Sequence, residues 1–194
     1  MRKTWKYHLL TLTLAFILVL CTRCAERKPE GNGAGGVPPN GDDHTALEYF
    51  LDEIYACGGY SKMLTDMLNA PPSTEDVFYN HLVTTRITEE NEKYFLGSTE
   101  LVYDAAIASD PAMSPTLYSL CLLSASDSEQ AEKLAKELKK SADPRKWVCM
   151  GLPDENVYVA QSGCYVMLVM SAEDGERLTD AFYEVMGRTA AHAS

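Results

Sequence analysis

The chain has 194 residues, with 17 Lys and Arg against 28 Asp and Glu, which gives a formal net charge of −11. Four of the basic residues and none of the acidic ones lie in the first 25 positions. The remainder therefore has 13 basic against 28 acidic residues, a charge of −15. A surface this acidic repels nucleic acid and anionic lipid, and this excludes nucleic acid as a partner.

Residues 1–25 have the layout of an export signal. A basic start, Met1 to Lys6, precedes an almost wholly apolar run from Leu9 to Cys21, and this order is typical of a secretory signal peptide. The run is shorter than the roughly 20 residues that cross a bilayer, so cleavage, lipidation and retention as a membrane anchor all stay open. We predict a protein of the cell membrane that faces its extracytoplasmic side.

Cys24 and Cys21 are the candidate lipidation sites, through which a lipid would hold the chain on the membrane. A bulky residue precedes each of them, Arg23 and Leu20 respectively. A lipoprotein signal has a small residue at that position, as cleavage sites of exported proteins generally do. The sequence therefore leaves open whether the membrane contact is a lipid or the N-terminal segment itself.

Residues 26–43 are predicted to form a flexible tether. They contain five glycines and three prolines, and a segment with so few large apolar side chains cannot offset the entropy lost on ordering. A flexible chain of this length spans about 20–25 Å. We predict that it holds one globular domain, residues 44–188, clear of the membrane, and that residues 189–194 form a tail.

Two helices are predicted at the start of the domain. Thr45 and Glu48 have the spacing of a capping box, and Gly58 follows a stripe of apolar residues with helical spacing: Leu47, Phe50, Leu51 and Ile54. A second helix is predicted over residues 61–69, where Pro71 and Pro72 would end it. Residues 75–82 are also predicted to be helical.

Strands and a helix alternate in the second half of the domain. Strands are predicted over residues 101–108 and 116–124. Ser126 and Glu129 form a second capping box, which predicts a helix as far as Ala142. Its inward-facing residues would be Ala131, Leu134, Ala135 and Leu138.

A β-hairpin is predicted from two apolar segments, residues 157–161 and 164–171, with Ser162 and Gly163 as its two-residue turn. This turn would place Gln161 opposite Cys164. The core face would then comprise Val157, Val159, Cys164, Val166, Leu168 and Met170, with Tyr158, Tyr165 and Met167 on the other face. Cys164 is accordingly predicted to be buried.

The last predicted helix begins at the cap formed by Ser171 and Asp174 and ends at Gly187, a residue type common just after helices. Its apolar stripe would comprise Leu178, Ala181, Phe182, Val185 and Met186. The order of elements predicts an α+β fold, with a small antiparallel sheet packed against helices and preceded by N-terminal helices.

The sequence from Gly151 to Met186 resembles a family of exported Firmicutes lipoproteins named domain of unknown function 4358. The similarity extends over roughly residues 92–187. Its specific part is the run Gly163-Cys164-Tyr165-Val166 and, in the following helix, Ala181-Phe182. The resemblance implies a lipoprotein-type leader, a tether and one domain, and it implies no catalytic residues.

No cofactor, metal or catalytic residue is predicted. Cys57, Cys121, Cys149 and Cys164 lie among apolar neighbours, where cysteine acts as a small core residue, although export would permit one disulfide among them. Asp42, Asp43 and His44 are a candidate metal site, but aspartate before a helix is more often a cap.

Three aromatic residues, Tyr158, Tyr165 and Trp147, are the candidate interaction surface, because exposed aromatics mark interfaces. A helix covering them is the alternative. The function predicted from the sequence is a non-enzymatic binding module that contacts an envelope protein or a small ligand. A hydrolase or thiol-redox enzyme of the envelope, with a site assembled from distant residues, is the alternative.

Overall fold

A computed structural model describes residues 42–113, 116–147 and 150–192 and has the predicted α+β fold. Its helices are α1 (Asp43–Ala56), α2 (Lys62–Asn69), α3 (Glu92–Leu96), α4 (Ser128–Ser141) and α5 (Gly175–His192), with a 3-10 turn at Asp154–Asn156. Its strands are β1 (Leu82–Arg86), β2 (Ala105–Pro111), β3 (Tyr118–Ser124), β4 (Val157–Ser162) and β5 (Tyr165–Ser171).

The five strands form one antiparallel sheet in the order β1-β2-β3-β5-β4. The central strand β3 is buried along its whole length. β1 and β4 are the two edges, so within the described residues each of them has a strand neighbour on one side only.

Side chains alternate between the two faces of the sheet along each strand. Both faces are apolar, and helices cover both of them. α1, α2 and α5 enclose one core cluster, whose largest members include Phe50, Tyr118, Leu120, Met167, Val169 and Phe182. α3 and α4 enclose the other, which includes Phe95, Cys121, Leu134, Trp147, Val166 and Leu168. The predicted apolar stripes of α1, α4 and α5 are confirmed, since their residues pack into these clusters.

Two predicted helix caps are displaced. The carboxylate of Asp42 caps α1 by accepting from the Thr45 N–H at 3.0 Å, so the helix begins before Thr45. Asp127, one residue beyond Ser126, caps α4. In both cases an aspartate near the predicted residue provides the cap. Aspartate is as favourable at this position as serine or threonine. Gly187 does not end α5, which continues to His192.

The prediction of a helix over residues 75–82 is wrong. Most of this segment is a loop, whose conformation is fixed by hydrogen bonds such as those between the Ser73 hydroxyl and the backbone of Tyr79. The segment then leads into β1, a strand that was not predicted from the sequence. The strand predicted over residues 101–108 begins four residues later, at Ala105.

The hairpin exists, but its turn consists of Gly163 and Cys164, because Ser162 pairs with Tyr165. Gly163 has a φ of 57°, a conformation that glycine adopts without steric cost. The predicted pairing is therefore wrong by two positions, and Cys164 lies in the turn with intermediate exposure instead of in a buried strand. A shift of two residues preserves the side-chain faces, so the predicted faces of β4 and β5 are confirmed.

Candidate functional site

The outer backbone of β4 is the first part of the candidate site. The Val157 N–H donates to the Asp154 carbonyl and its C=O accepts from Lys139 Nζ, so both groups face away from β5. Backbone direction alternates along an antiparallel strand. The N–H and C=O groups of Val159 and Gln161 therefore also face outward, along an edge that no strand of the described chain covers.

This edge forms the floor of an open groove of about 720 Å³ between α4 and α5. α4 packs on one side of β4 and α5 on the other, so each helix contributes one wall. The lining residues are Glu132, Ala135, Lys136, Lys139, Lys140, Glu155, Val157, Tyr158, Val159 and Thr179. The groove thus combines an apolar floor, backbone groups that no described strand pairs with, and one charged wall, on the α4 side.

Lysines dominate the α4 wall of the groove. Lys136 pairs with Glu132 at 2.6 Å, and Lys139 donates to the strand carbonyl. Lys140 also lines the groove, and the described residues offer it no ion-pair partner. Three lysines against Glu132 and Glu155 give the groove a small positive excess. The chain as a whole has a net charge of −11, so this cationic wall is a local exception that favours a negatively charged segment.

The α5 wall approaches the strand closely at Gly175. A Cβ atom at this position would lie 2.0 Å from the ring of Tyr158, so only glycine lets the ring lie against the start of α5. The start of α5 is fixed in turn by Asp174, whose buried carboxylate accepts from the N–H and the hydroxyl of Ser61 at 2.6 and 2.7 Å. These contacts position Tyr158 in the groove.

The structure does not bring the three candidate aromatic residues together. Tyr158 lines the groove. Tyr165 packs edge-on against Phe50, with ring centroids 4.8 Å apart. Trp147 is 7% exposed and belongs to the core cluster on the other face of the sheet. The groove itself was not predicted, although the closely spaced lysines near the end of α4 were a signal for its cationic wall.

A second polar cluster lies beneath α3, on the α4 side of the sheet. The Lys146 side chain is only 3% exposed, and its Nζ lies 3.5 Å from Asp110 and 2.8 Å from the Ser119 hydroxyl. Aromatic rings surround the ammonium group at 4.5 to 5.3 Å from their centroids: Tyr94, Phe95 and Trp147. These contacts compensate in part for the loss of water around a buried charge.

The electrostatics of this cluster are those of a buried ion pair. Burial raises the pKa of Asp110, and the neighbouring Lys146 and Ser119 partly oppose that rise. One oxygen of Asp110 has no hydrogen-bond partner among the described residues. A serine bonded to a lysine can act as a nucleophile with its base, but Ser119 is completely buried. As it stands, the cluster offers no substrate access.

Cys121 and Cys57 show no activated thiol. Burial raises the pKa of Cys121 to about 12. Burial and Glu184 raise the pKa of Cys57, and the nearby Arg188 opposes this effect. A nucleophilic cysteine requires the opposite shift, towards thiolate at neutral pH. The candidate lipidation residues Cys21 and Cys24, and also Cys149, lie outside the described residues.

The acidic segment at the start of α1 is used for structure. Asp42 caps the helix and lies 3.6 Å from Arg86. Among residues 42–113, 116–147 and 150–192, no group of three His, Cys, Asp or Glu side chains could hold a metal ion. The same residues contain no helix long and apolar enough to span a membrane.

Comparison with models of protein families, with curated proteins and with solved structures finds no match to this chain. Geometry is therefore the basis for any functional proposal. Of the two polar sites, the groove along β4 is open to solvent, whereas the Lys146 cluster is closed.

Proposed function

We propose that this protein is a non-enzymatic binding module at the extracytoplasmic side of the cell membrane. Its groove would bind an extended, acidic segment of another envelope protein. The basic and apolar start of the chain and the Gly/Pro-rich segment after it support membrane attachment. The resemblance to exported lipoproteins agrees with this location.

The observation that carries the proposal is the unpaired edge of β4 between two helical walls. An extended peptide can add a strand to such an edge through main-chain hydrogen bonds. Val159 and Gln161 would supply those bonds, since their backbone groups face outward. Lys139 already occupies the carbonyl of Val157, so the added strand would begin beyond that position.

Side chains of the bound segment would alternate between the two walls. On the α5 side they would meet Tyr158 and Thr179, and on the α4 side Ala135 and the lysines. Acidic side chains on the α4 side would pair with Lys140, and with Lys136 only in competition with Glu132. The preferred ligand is therefore an extended segment with a carboxylate at every second position.

Catalysis is less well supported than binding. Ser119 and Cys121, which a hydrolase or thiol enzyme could use, are both completely buried. Cys57 is half-buried, but burial raises the pKa of its thiol. A binding role requires only groups that already face solvent in the groove.

The test is fluorescence anisotropy with the full chain in mild detergent and a labelled peptide of alternating valine and glutamate. The matched probe has lysine in place of glutamate. We expect only the acidic probe to bind. Binding of both probes with equal affinity, or of neither, would contradict the proposal.

Lys140→Glu and Lys133→Glu form a matched pair of variants for the same assay. Both reverse one charge on an exposed part of α4, but Lys133 pairs with Glu129 away from the groove. We expect Lys140→Glu to weaken binding about 3- to 10-fold, the scale of one or two surface charge contacts, and Lys133→Glu to leave it unchanged. Equal effects would indicate general charge repulsion without a specific site.

A further inference from the structure

The other sheet edge, β1, also has outward-facing backbone groups. The His81 carbonyl accepts from the Ala112 N–H at 2.7 Å, and the Ile87 N–H donates to Ala106 at 2.9 Å, so these two residues face β2. The direction of the backbone N–H and C=O groups alternates along an antiparallel strand, so these groups of the even-numbered residues between them face away from β2. The outward-facing residues are Leu82, Thr84 and Arg86.

These three positions make the edge self-complementary. If two copies of β1 pair antiparallel about Thr84, then Thr84 meets its own counterpart and Leu82 meets Arg86 of the second copy. Every outward-facing residue of one strand then lies opposite an outward-facing residue of the other. A two-fold interface requires such matching of a surface with itself.

Exposed apolar side chains cluster where β1 begins. Phe78 is 75% exposed in the loop before the strand, and Val83 is 41% exposed within it. Met113, just after β2, is also exposed, and the Asn80 side chain binds its N–H. Exposed aromatic and large apolar residues that lie together are typical of protein interfaces.

Charge is also complementary between two antiparallel copies. The loop that leads into β1 has the acidic pair Glu75 and Asp76 and joins the Leu82 end of the strand, whereas Arg86 lies at the other end. Within its own chain Arg86 lies 3.6 Å from Asp42, at an exposed ion pair. Antiparallel pairing would bring Arg86 of each copy towards the acidic loop of the other. Opposite charges at matched positions favour this register over a parallel one.

We propose that β1 joins two copies of this chain, with Thr84 on the two-fold axis and a continuous sheet of ten strands. This proposal is independent of the groove, which lies at the opposite edge. The surroundings of the two edges differ. Lysines of α4 line the edge of β4, and such charges commonly protect edge strands, whereas exposed apolar side chains lie beside β1. On each edge a side chain occupies one outward-facing carbonyl: Lys139 at Val157 and Asn91 at Arg86.

A site-specific crosslink tests the register. At a hydrogen-bonded antiparallel pair the Cα atoms are about 5.5 Å apart, within the range that a disulfide spans. Thr84→Cys should therefore give a covalent dimer when the full chain is oxidised in detergent or in membranes. Thr85→Cys is the control, since two copies of residue 85 would be about 8 Å apart. Both variants are compared with the unmodified chain, which has its own cysteines.

A second pair of variants tests association without a crosslink. Thr84→Pro removes an N–H that faces away from β2, so the strand can keep its place in the sheet, and Thr84→Ala keeps that N–H. Light scattering should give a dimeric mass for Thr84→Ala and a monomeric mass for Thr84→Pro, with similar melting temperatures. Two results would overturn the proposal: a monomeric unmodified chain, or crosslinking by Thr84→Cys no greater than by Thr85→Cys.

Discussion

Lys146→Met removes the cation from the buried pair and keeps a side chain of similar length among the aromatic rings. The carboxylate of Asp110, whose side chain is 18% exposed, then loses its partner at 3.5 Å. Breaking a buried pair by removing one member costs about 3–5 kcal/mol. Because Asp110 keeps some contact with water, we expect the lower end of that range, about 3 kcal/mol near neutral pH.

The loss of stability should depend on pH in a definite direction. Burial raises the pKa of Asp110, and Lys146 opposes this rise, so the pKa rises further without the lysine. A carboxyl whose pKa is higher in the folded than in the unfolded protein stabilises the fold while it is protonated. That stability is lost as the pH rises through the folded pKa. The variant should therefore be close to the wild type near pH 4 and progressively less stable towards pH 7.

Urea unfolding at several pH values measures this difference as a change in midpoint at constant slope. Lys133→Met is the control, because it also removes a lysine from an ion pair, but one that is mostly exposed to solvent. We expect no measurable change for Lys133→Met. A deficit in Lys146→Met that is the same at every pH would show that Asp110 is not charged and buried as described.

Four further substitutions have defined outcomes. Val159→Pro removes an outward-facing N–H in the groove and should abolish binding of the valine–glutamate peptide, with the melting temperature little changed. Gly97→Ala should cost about 2–4 kcal/mol, because φ is 76° and the new Cβ would lie 1.8 Å from the Ser141 carbonyl oxygen. Gly58→Ala, at a similar φ but in open space, should cost only about 1 kcal/mol in the same unfolding assay. Asp174→Ala removes both bonds to the start of α2 and should cost about 3 kcal/mol; a neutral result would mean that these bonds do not form in solution.

The elements predicted well are those whose sequence repeats with a single period. α4 and α5 each bury one stripe of apolar residues, and their spacing specifies both the helix and its inward face. β1 was missed because its sequence, Leu-Val-Thr-Thr-Arg, has no alternation of apolar and polar residues. An edge strand needs little of that pattern, since only one side of it pairs and neither face is fully covered.

The hairpin shows why turns are harder to predict than faces. Both Ser162-Gly163 and Gly163-Cys164 are compatible with a two-residue turn, and the sequence alone does not decide between them. The side-chain faces survived the error because the pairing moved by two residues. The predicted position of Cys164 was wrong, because this residue lies in the turn and turn residues belong to neither face.

The candidate site could be predicted only in part. Tyr158 was selected as an exposed aromatic, and it does line the groove. The lysines of α4 and the edge of β4 come together only through the packing of the helix on the sheet, which no local pattern encodes. Lys146 likewise has no local signal, because it lies in a loop and its partners Asp110 and Ser119 lie on β2 and β3, far away in the sequence.

The position of each strand in the sheet also determines how its backbone opens to solvent. β3 has a strand on both sides and a helix layer on both faces, so its amide hydrogens should exchange with deuterium only when the whole domain unfolds. β1 and β4 can open locally, since each is held on one side. Peptide binding at β4 should therefore slow exchange in β4 alone, and pairing of two copies should slow it in β1 alone. The amides of β3 report global stability in the same experiment.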